Sequence, residues 1–154
     1  MKFMDKFKAL YPETGAQEIS LEQRLEKLGI DADSRRRIEA LPFEVVSLND
    51  DFPYAIEEVI AVSSIVGIDR DDDVSNWVEC LGNLHKRRHF DLFVDRSVYE
   101  KFLMPPAKSR DDLPEVIELD GKYYISTNGK HRLTFAKCLE IAKVRAVVAR
   151  KVRQ

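Results

Sequence analysis

The sequence predicts an α+β domain, in which a small mixed β-sheet packs with helices and a helical addition precedes it. Three features predict this class: apolar residues at helical spacing in the first half, a β-hairpin signal near residue 120, and a strand–turn–helix–strand order at the end. With 154 residues, 44% of them hydrophobic and 34% charged, the chain has the size and composition of one globular domain.

The first predicted elements are two short helices. Ser20 and Gln23 fit a capping box, leucines follow at helical spacing, and Gly29 ends the first helix. A second helix is predicted from Asp33 or Ser34 up to Pro42, which cannot continue a helix. Together the two helices form a hairpin.

Three consecutive arginines, residues 35–37, lie on the second of these helices. They suggest a helix-turn-helix, in which the second helix enters a DNA groove. The segment is short for that motif and carries many acids. We therefore favour a hairpin whose arginines pair with Glu22, Glu26 or solvent.

The middle of the chain is predicted to be helical. One helix is predicted over residues 54–62, opened by Asn49 or Asp50 with Pro53 and ended by Gly67. The next helix carries five apolar residues on one face: Val74, Trp77, Val78, Leu81 and Leu84. This spacing predicts that the tryptophan is a core residue.

Neither the aspartate-rich loop nor the two cysteines predict a metal site. Residues 69–73 alternate acids as a calcium loop does, but Val74 stands where that loop needs Gly and Cys80 where it needs Glu. Cys80 and Cys138 have no Cys or His at ligand spacing, so both are predicted to be small buried residues.

The last third of the chain has the clearest pattern. Residues 115–119 and 122–126 are predicted strands, joined by Asp120-Gly121, the dipeptide that a two-residue type I′ turn favours. After a glycine turn, residues 131–142 are predicted to form a helix and residues 144–148 a final strand.

These elements divide the domain into two parts. Residues 1–42 form the helical addition, and residues 43–154 form the core with its C-terminal motif at 114–149. Residues 43–48 and 92–94 are candidates for further strands of the sheet.

Charge is unevenly distributed along the chain. Residues 122–154 hold nine Lys or Arg and one Glu, a net charge of +8, while the preceding 16 basic and 26 acidic residues give −10. Such a basic segment can attract phosphate-bearing partners. No apolar run approaches the roughly 20 residues of a membrane span and the start lacks a signal-peptide core, so a cytoplasmic location is expected.

The turn before the last helix combines several features of an anion site. The first N–H groups of a helix have no acceptor within the helix and lie at its positive end, so they stabilise an anion. Cations are disfavoured at this end of the helix unless an anion accompanies them. A glycine in the turn would allow the backbone to approach such an anion closely. The candidate ligand-binding residues are Thr127, Asn128, Gly129, Lys130, His131 and Arg132.

The stretch DGKYYISTNGKHRLTFAKCLEIAKVRAVV resembles the signature of the ParB/sulfiredoxin-like superfamily, over about 35 residues from Pro114 to Ala149. In that family a strand, a Gly-x-His-Arg or Gly-x-Arg-Arg turn, a helix and a closing strand follow in this order. Its members bind nucleotide phosphates at the turn: sulfiredoxin reduces over-oxidised cysteines with ATP, ParB proteins hydrolyse CTP, and a related kinase phosphorylates serine. The resemblance implies a nucleotide ligand, ATP or CTP with Mg²⁺, held at residues 129–132.

The sequence also departs from this family. Lys130 stands where sulfiredoxin has its catalytic cysteine, so reductase chemistry is not expected. Lys130-His131-Arg132 replaces the acid and two arginines of ParB, and no DNA-reading helices follow. A kinase-like reaction would need a proton acceptor and acids for Mg²⁺, for which the candidates are His131, Glu115 and Glu118, with Asp120 also near.

Two other functions remain open from the sequence. One is a nucleic-acid-binding plasmid or phage accessory protein or a ParB-like nuclease, with Arg35 to Arg37, His85 to His89 and the C-terminal arginines as its footprint. The other is a non-catalytic interaction module, in which Arg132 pairs with Asp120 or Glu118 instead of with a ligand.

Overall fold

The computed structural model of the protein describes residues 20–70, 73–84, 95–104, 113–126 and 128–152. It confirms the predicted α+β class. A six-stranded mixed sheet forms its centre, and helices pack against the sheet. The predicted strand at 92–94, the cluster at 85–89 and Thr127 lie outside the described residues. In the described part of the chain, no helix is long and apolar enough to cross a membrane.

The strand order is β1-β3-β5-β4-β6-β2. Strands β1, β3 and β5 run parallel to one another, β4 runs antiparallel to β5 and parallel to β6, and β2 pairs antiparallel with β6. Their bounds are β1 Glu44–Val46, β2 Tyr54–Ala61, β3 Ile65–Asp69, β4 Glu115–Leu119, β5 Lys122–Ile125 and β6 Lys143–Arg150.

The helices of the described residues are α1 Leu21–Lys27, α2 Ala32–Glu39, α3 Trp77–Gly82, α4 Arg96–Leu103 and α5 Lys130–Cys138, with a 3₁₀ turn at Val62–Ser64. The predicted capping box of α1 is present. Helix α2 starts slightly earlier than predicted, because Asp31 is its N-cap and accepts from the Ser34 N–H.

The predicted helix over residues 54–62 is wrong, because this segment is β2. Eight residue pairs join it to β6, from Tyr54 opposite Arg150 to Ala61 opposite Lys143. The apolar residues of this segment lie on both faces of the strand. Apolar residues at helical spacing give the same order along the chain, so their spacing alone led to the wrong prediction. The segment is a strand because it pairs with β6, and the local sequence pattern carries no information about that distant pairing.

The C-terminal predictions are confirmed with small changes of bounds. Asp120 and Gly121 take φ of 53° and 80°, as a type I′ hairpin requires. Helix α5 ends earlier than the predicted residue 142. Glu140 has φ of 55°, and the Ile141 N–H donates to the Ala136 carbonyl, which closes the helix.

The core lies between one face of the sheet and helices α3 and α5. Val116, Ile125 and Val148 of the sheet are fully buried in one cluster with Leu133 and Phe135 of α5. Because strand residues alternate between faces, this cluster defines the side of the sheet on which α5 packs.

Trp77 is fully buried in this core, as predicted. Its indole N–H donates to the Pro42 carbonyl at 3.0 Å, and the Phe43 ring packs edge-on with ring centroids 4.9 Å apart. Cys80 and Cys138 are both buried and carry free thiols, which confirms their prediction as small core residues.

The N-terminal helical hairpin shares this core through Leu25 and Ile38. Arg35 pairs with Glu22 at 2.8 Å, which confirms the favoured interpretation. The other two arginines also have acidic partners: Arg36 pairs with Asp33, and Arg37 with Glu140 at 3.0 Å. The three arginines thus bind acids of the same chain.

Lys137 is an unusual member of the buried face of α5, being only 3% exposed. Its Nζ donates to the Val62 carbonyl at 3.1 Å and lies 5.3 Å from the centre of the Trp77 ring. Burial nevertheless lowers the pKa of its ammonium group from 10.5 to about 8, with a small opposing effect from Cys138.

This depressed pKa predicts how stability depends on pH. Below pH 8 the Lys137 ammonium group is charged in both the folded and the unfolded protein, and its burial destabilises the folded state. Between pH 8 and 10.5 the unfolded chain binds more protons, so the free energy of unfolding rises by about 1–3 kcal/mol from this residue. Chemical denaturation from pH 7 to 11 should show this rise in the wild type relative to Lys137→Met. Lys143→Met, at an exposed lysine, is the control, and equal pH dependence in all three proteins would contradict the prediction.

Candidate anion-binding site

The predicted site is the turn between β5 and α5. Because β5 lies between β3 and β4, the turn is bordered by the end of β3 on one side and the start of β4 on the other. Strands β3 and β5 run parallel, so their carboxyl ends meet at the same edge of the sheet. Helix α5 then returns over the core face of the sheet.

Hydrogen bonds attach this turn to the segment that begins β4. The Glu115 N–H donates to the Asn128 carbonyl at 2.9 Å, and the Ser126 N–H donates to the Glu115 carbonyl at 3.0 Å. The side-chain amide of Asn128 donates to the Leu113 carbonyl at 3.0 Å. Asn128 therefore fixes the turn with a side chain that was predicted to bind a ligand.

Gly129 is the N-cap of α5 and has φ of 104°, in the left-handed region. A Cβ at this position would overlap the Pro114 Cβ and lie 2.8 Å from the Pro114 Cα. The glycine thus allows close approach of the chain's own Pro114. The sequence had suggested a ligand for that place, and the structure gives the position a folding role.

The start of α5 differs in charge from the other helix starts that the structure describes. Ser20, Asp31, Asn76 and Asp95 cap α1 to α4 with side-chain oxygens. Gly129 has no side chain for this purpose, and the first turn of α5 contains no acid. Three basic or titratable residues follow at once, so positive charge accumulates at the positive end of the helix.

The three predicted residues at this helix start differ in exposure. Lys130 and His131 are half-buried. Arg132 is only 6% exposed, so its side chain lies within the fold. All three also interact within the chain. Lys130 and His131 are therefore the side chains best placed for a ligand, while Arg132 is first a part of the packed interior.

Of the predicted acids, the structure brings one to the turn. Glu115 is half-buried and bonded to the turn through its backbone. Glu118 lies three residues along β4, roughly 10 Å away, and forms a salt bridge with Arg150. Asp120 lies still further, at the hairpin turn. Glu118 is thus neither beside His131 nor paired with Arg132.

Arg70 is a residue of this site that the sequence did not reveal. It follows β3 directly, and its Nη2 donates to the Ser126 carbonyl at 2.8 Å. A helix had been predicted before Gly67, so the parallel neighbour of β5 was missed and Arg70 with it. If Ile65–Asp69 had been predicted as a strand, Arg70 would have been placed at its end, beside β5.

Few acids of the described residues lie near the turn to hold a metal ion. Among the described residues no group of three or more His, Cys, Asp or Glu could hold a metal ion. Mg²⁺ in nucleotide sites is commonly held by one or two carboxylates together with the phosphates. Glu115, whose backbone is bonded to the turn, is the predicted acid that would supply such a ligand.

Known proteins give no further identification of this site. Comparison of the chain with profiles of protein families, with curated proteins and with solved structures found no match in any of the three.

Proposed function

We propose that the protein binds the phosphate of a nucleotide, ATP or CTP with Mg²⁺, at the start of α5. One observation carries the proposal: Lys130, His131 and Arg132 open a helix whose N-cap is a glycine and whose first turn has no acid. The resemblance of residues 114–149 to the ParB/sulfiredoxin-like superfamily supports the same function.

Electrostatics favour an anion at this position. A cation in the first turn is destabilised by the helix dipole by about 0.3–1 kcal/mol, and an anion there gains a similar amount. A bound phosphate would therefore offset the repulsion among the charges at the helix start. It would also accept hydrogen bonds from Lys130 and His131, both half-buried rather than enclosed.

The reaction class that fits these residues is phosphoryl transfer or phosphate hydrolysis. His131 is suited to proton transfer near neutral pH, since an imidazole titrates in that range. Glu115 would hold the metal ion, which when bound neutralises charge on the transferring phosphoryl group. Lys130 would orient the phosphate as a point charge.

Isothermal titration calorimetry with ATP, CTP and GTP, with and without Mg²⁺, tests this function. The wild type is expected to bind at least one nucleotide, and Lys130→Ala is expected to weaken that binding about tenfold through loss of a charge-assisted hydrogen bond. Lys122→Ala, at an exposed lysine of the hairpin, serves as the control. Absence of binding heat from all three nucleotides would rule the proposal out.

The two alternative functions have less support from the described residues. Arg35, Arg36 and Arg37, proposed as part of a nucleic-acid footprint, pair with acids of the same chain. The non-catalytic module had Arg132 paired with Asp120 or Glu118; Glu118 pairs with Arg150 instead, although Arg132 does interact within the chain. Retention on DNA or RNA that falls steeply with salt would restore the nucleic-acid hypothesis.

A further inference from the structure

Strand β2 lies at one edge of the sheet, and among the described residues no strand pairs with its outer side. It is eight residues long and pairs with β6 in an unbroken register, without a bulge. It contains neither proline nor lysine. Proteins usually protect a sheet edge with such residues, with a bulge or with a very short strand. The opposite edge is protected in the last way, since β1 has only three residues.

The acids of β2 are neutralised within the fold. Glu57 pairs with Arg145 of β6 at 3.1 Å, and Glu58 pairs with Arg150 at 2.6 Å. The side chains of the two glutamates are only 22% and 30% exposed. They therefore repel an approaching strand less than unpaired, fully exposed acids would.

The outward hydrogen-bonding groups of β2 belong to every second residue. The Val62 N–H donates to the Ala142 carbonyl at 3.0 Å, and these two residues continue the β2–β6 register by one step. Antiparallel ladders alternate between bonded and non-bonded pairs, so the even-numbered residues of β2 bond to β6. The N–H and C=O groups of Glu57, Val59 and Ala61 consequently point away from β6, towards the outer side.

We propose that β2 pairs antiparallel with β2 of a second copy of this chain, with Val59 opposite Val59 of the partner subunit. The two sheets then join into one continuous sheet across a two-fold axis. Val59 is 43% exposed, and the two valines cover each other in the pair. Glu57 lies opposite the partner's Ala61, so the outward groups of both strands meet. The inference does not depend on the proposed function.

Charge complementarity selects this register. Lys143 is exposed and lies opposite Ala61 in the β2–β6 pairing, on the same face of the sheet. Pairing centred on Val59 places the partner's Glu57 on the other side of Ala61. Two strand spacings, about 10 Å, then separate the Cα atoms of Lys143 and the partner's Glu57, and the alanine methyl group does not obstruct their side chains. By symmetry the attraction forms twice.

Other centres of pairing fit less well. A centre at Glu57 or at Glu58 places identical acids opposite each other, which destabilises a strand pair. A centre at Ile56 requires the outward groups of Ala55, a residue that has further interactions within the chain. The centre at Val59 avoids both problems and adds the attraction to Lys143.

The interface is small. Residues 57–61 of each strand overlap, so the contact is expected to bury less than the roughly 1,200 Å² at which standard protein interfaces begin. The dimer should therefore be weak, with a dissociation constant in the micromolar range, and its population should depend on protein concentration.

Sedimentation equilibrium of the full chain at pH 7 tests the inference. The average mass should rise from 17.8 kDa towards twice that value between about 1 and 100 µM protein. Val59→Lys places two like charges at the centre of the strand pair and should remain a monomer. Val45→Lys, at an exposed valine of the other edge strand, should dimerise as the wild type does.

The charge contact has its own test. Lys143→Glu should weaken dimerisation about tenfold, because two attractive pairs become repulsive. Lys122→Glu, at an exposed lysine of the hairpin, is the matched control and should have no effect. About 0.5 M NaCl should weaken the wild-type dimer and not that of Lys143→Glu.

Cross-linking determines the register directly. Val59→Cys should give a disulfide-linked dimer under mild oxidation, because the Cα atoms of a bonded antiparallel pair lie about 5.5 Å apart. Ile56→Cys should not, since the two copies of this position are about 20 Å apart in the same register.

Four results would contradict the proposed pairing. A wild-type mass that stays at 17.8 kDa would overturn it and leave this edge to a strand of another protein. Dimerisation of Val59→Lys as in the wild type would place the contact on another surface. An unchanged dimer in Lys143→Glu, or cross-linking through Ile56→Cys in place of Val59→Cys, would overturn the register and the inference with it.

Discussion

Gly129→Ala is expected to lower the free energy of unfolding by about 3 kcal/mol, through two additive causes. The residue has φ of 104°, where an L side chain is strained. The new Cβ would also overlap the Cβ of Pro114, which is buried and bonded through its carbonyl to the Val147 N–H at 2.9 Å. The proline has little freedom to move away, so the turn and the start of β4 must separate.

A second glycine isolates the contribution of Pro114. Gly29 also has a positive φ, 68°, but a Cβ added there meets no atom within 4 Å. Gly29→Ala should therefore cost only the backbone strain, about 1 kcal/mol. Urea denaturation of both variants measures the difference. Equal losses in the two proteins would mean that the turn relaxes around the new methyl group, and that the packing argument is wrong.

The sequence predicted the C-terminal third because local chemistry decides it. Asp120-Gly121 can adopt the two positive φ angles of the hairpin, and neighbouring strands pair across it. Similarly, Ser20 and Gln23 specify the start of α1 within four residues. In these segments the residues that determine the structure are also close in sequence.

Strand β2 shows where this kind of inference fails. Tyr54–Ala61 pairs with residues that lie 82 to 96 positions further along the chain, and the Glu57–Arg145 salt bridge joins the same two strands. Its β-branched residues favour a strand, yet its apolar residues at positions 55, 56, 59 and 60 also fit helical spacing. Pairing with β6 makes the segment a strand and not a helix, and this pairing cannot be read from the local sequence.

The candidate site divides in the same way. Gly129, Lys130 and His131 are contiguous and were predicted together as a basic helix start. Arg70 contacts Ser126, which lies 56 positions further along the chain. Pro114, 15 positions before Gly129, leaves no room for a side chain at the glycine. Both contacts depend on the strand order. Knowledge of the sheet was needed to see that β3 borders the turn.

The second large effect is expected from Arg150, which connects three strands. It lies on β6, between β4 and β2, and is 7% exposed. Its Nη2 lies 2.6 Å from Glu58 Oε2 of β2, and its Nε pairs with Glu118 of β4. Burial opposes the charge of the guanidinium, but its ion pairs with Glu118 and Glu58 outweigh burial and raise its pKa.

Arg150→Met should lower the free energy of unfolding by about 3 kcal/mol, because it leaves two partly buried carboxylates without their shared cation. Arg36→Met removes an exposed pair with Asp33 and should cost under about 0.5 kcal/mol. The double variant Arg150→Met/Glu118→Gln should regain part of the loss, since one uncompensated charge is removed with it. Thermal and urea denaturation of all four proteins decide the matter. If the double variant is no more stable than Arg150→Met, the loss arises from packing of the arginine stem and not from its charge, since the carboxylate of Glu118 would then contribute nothing to it.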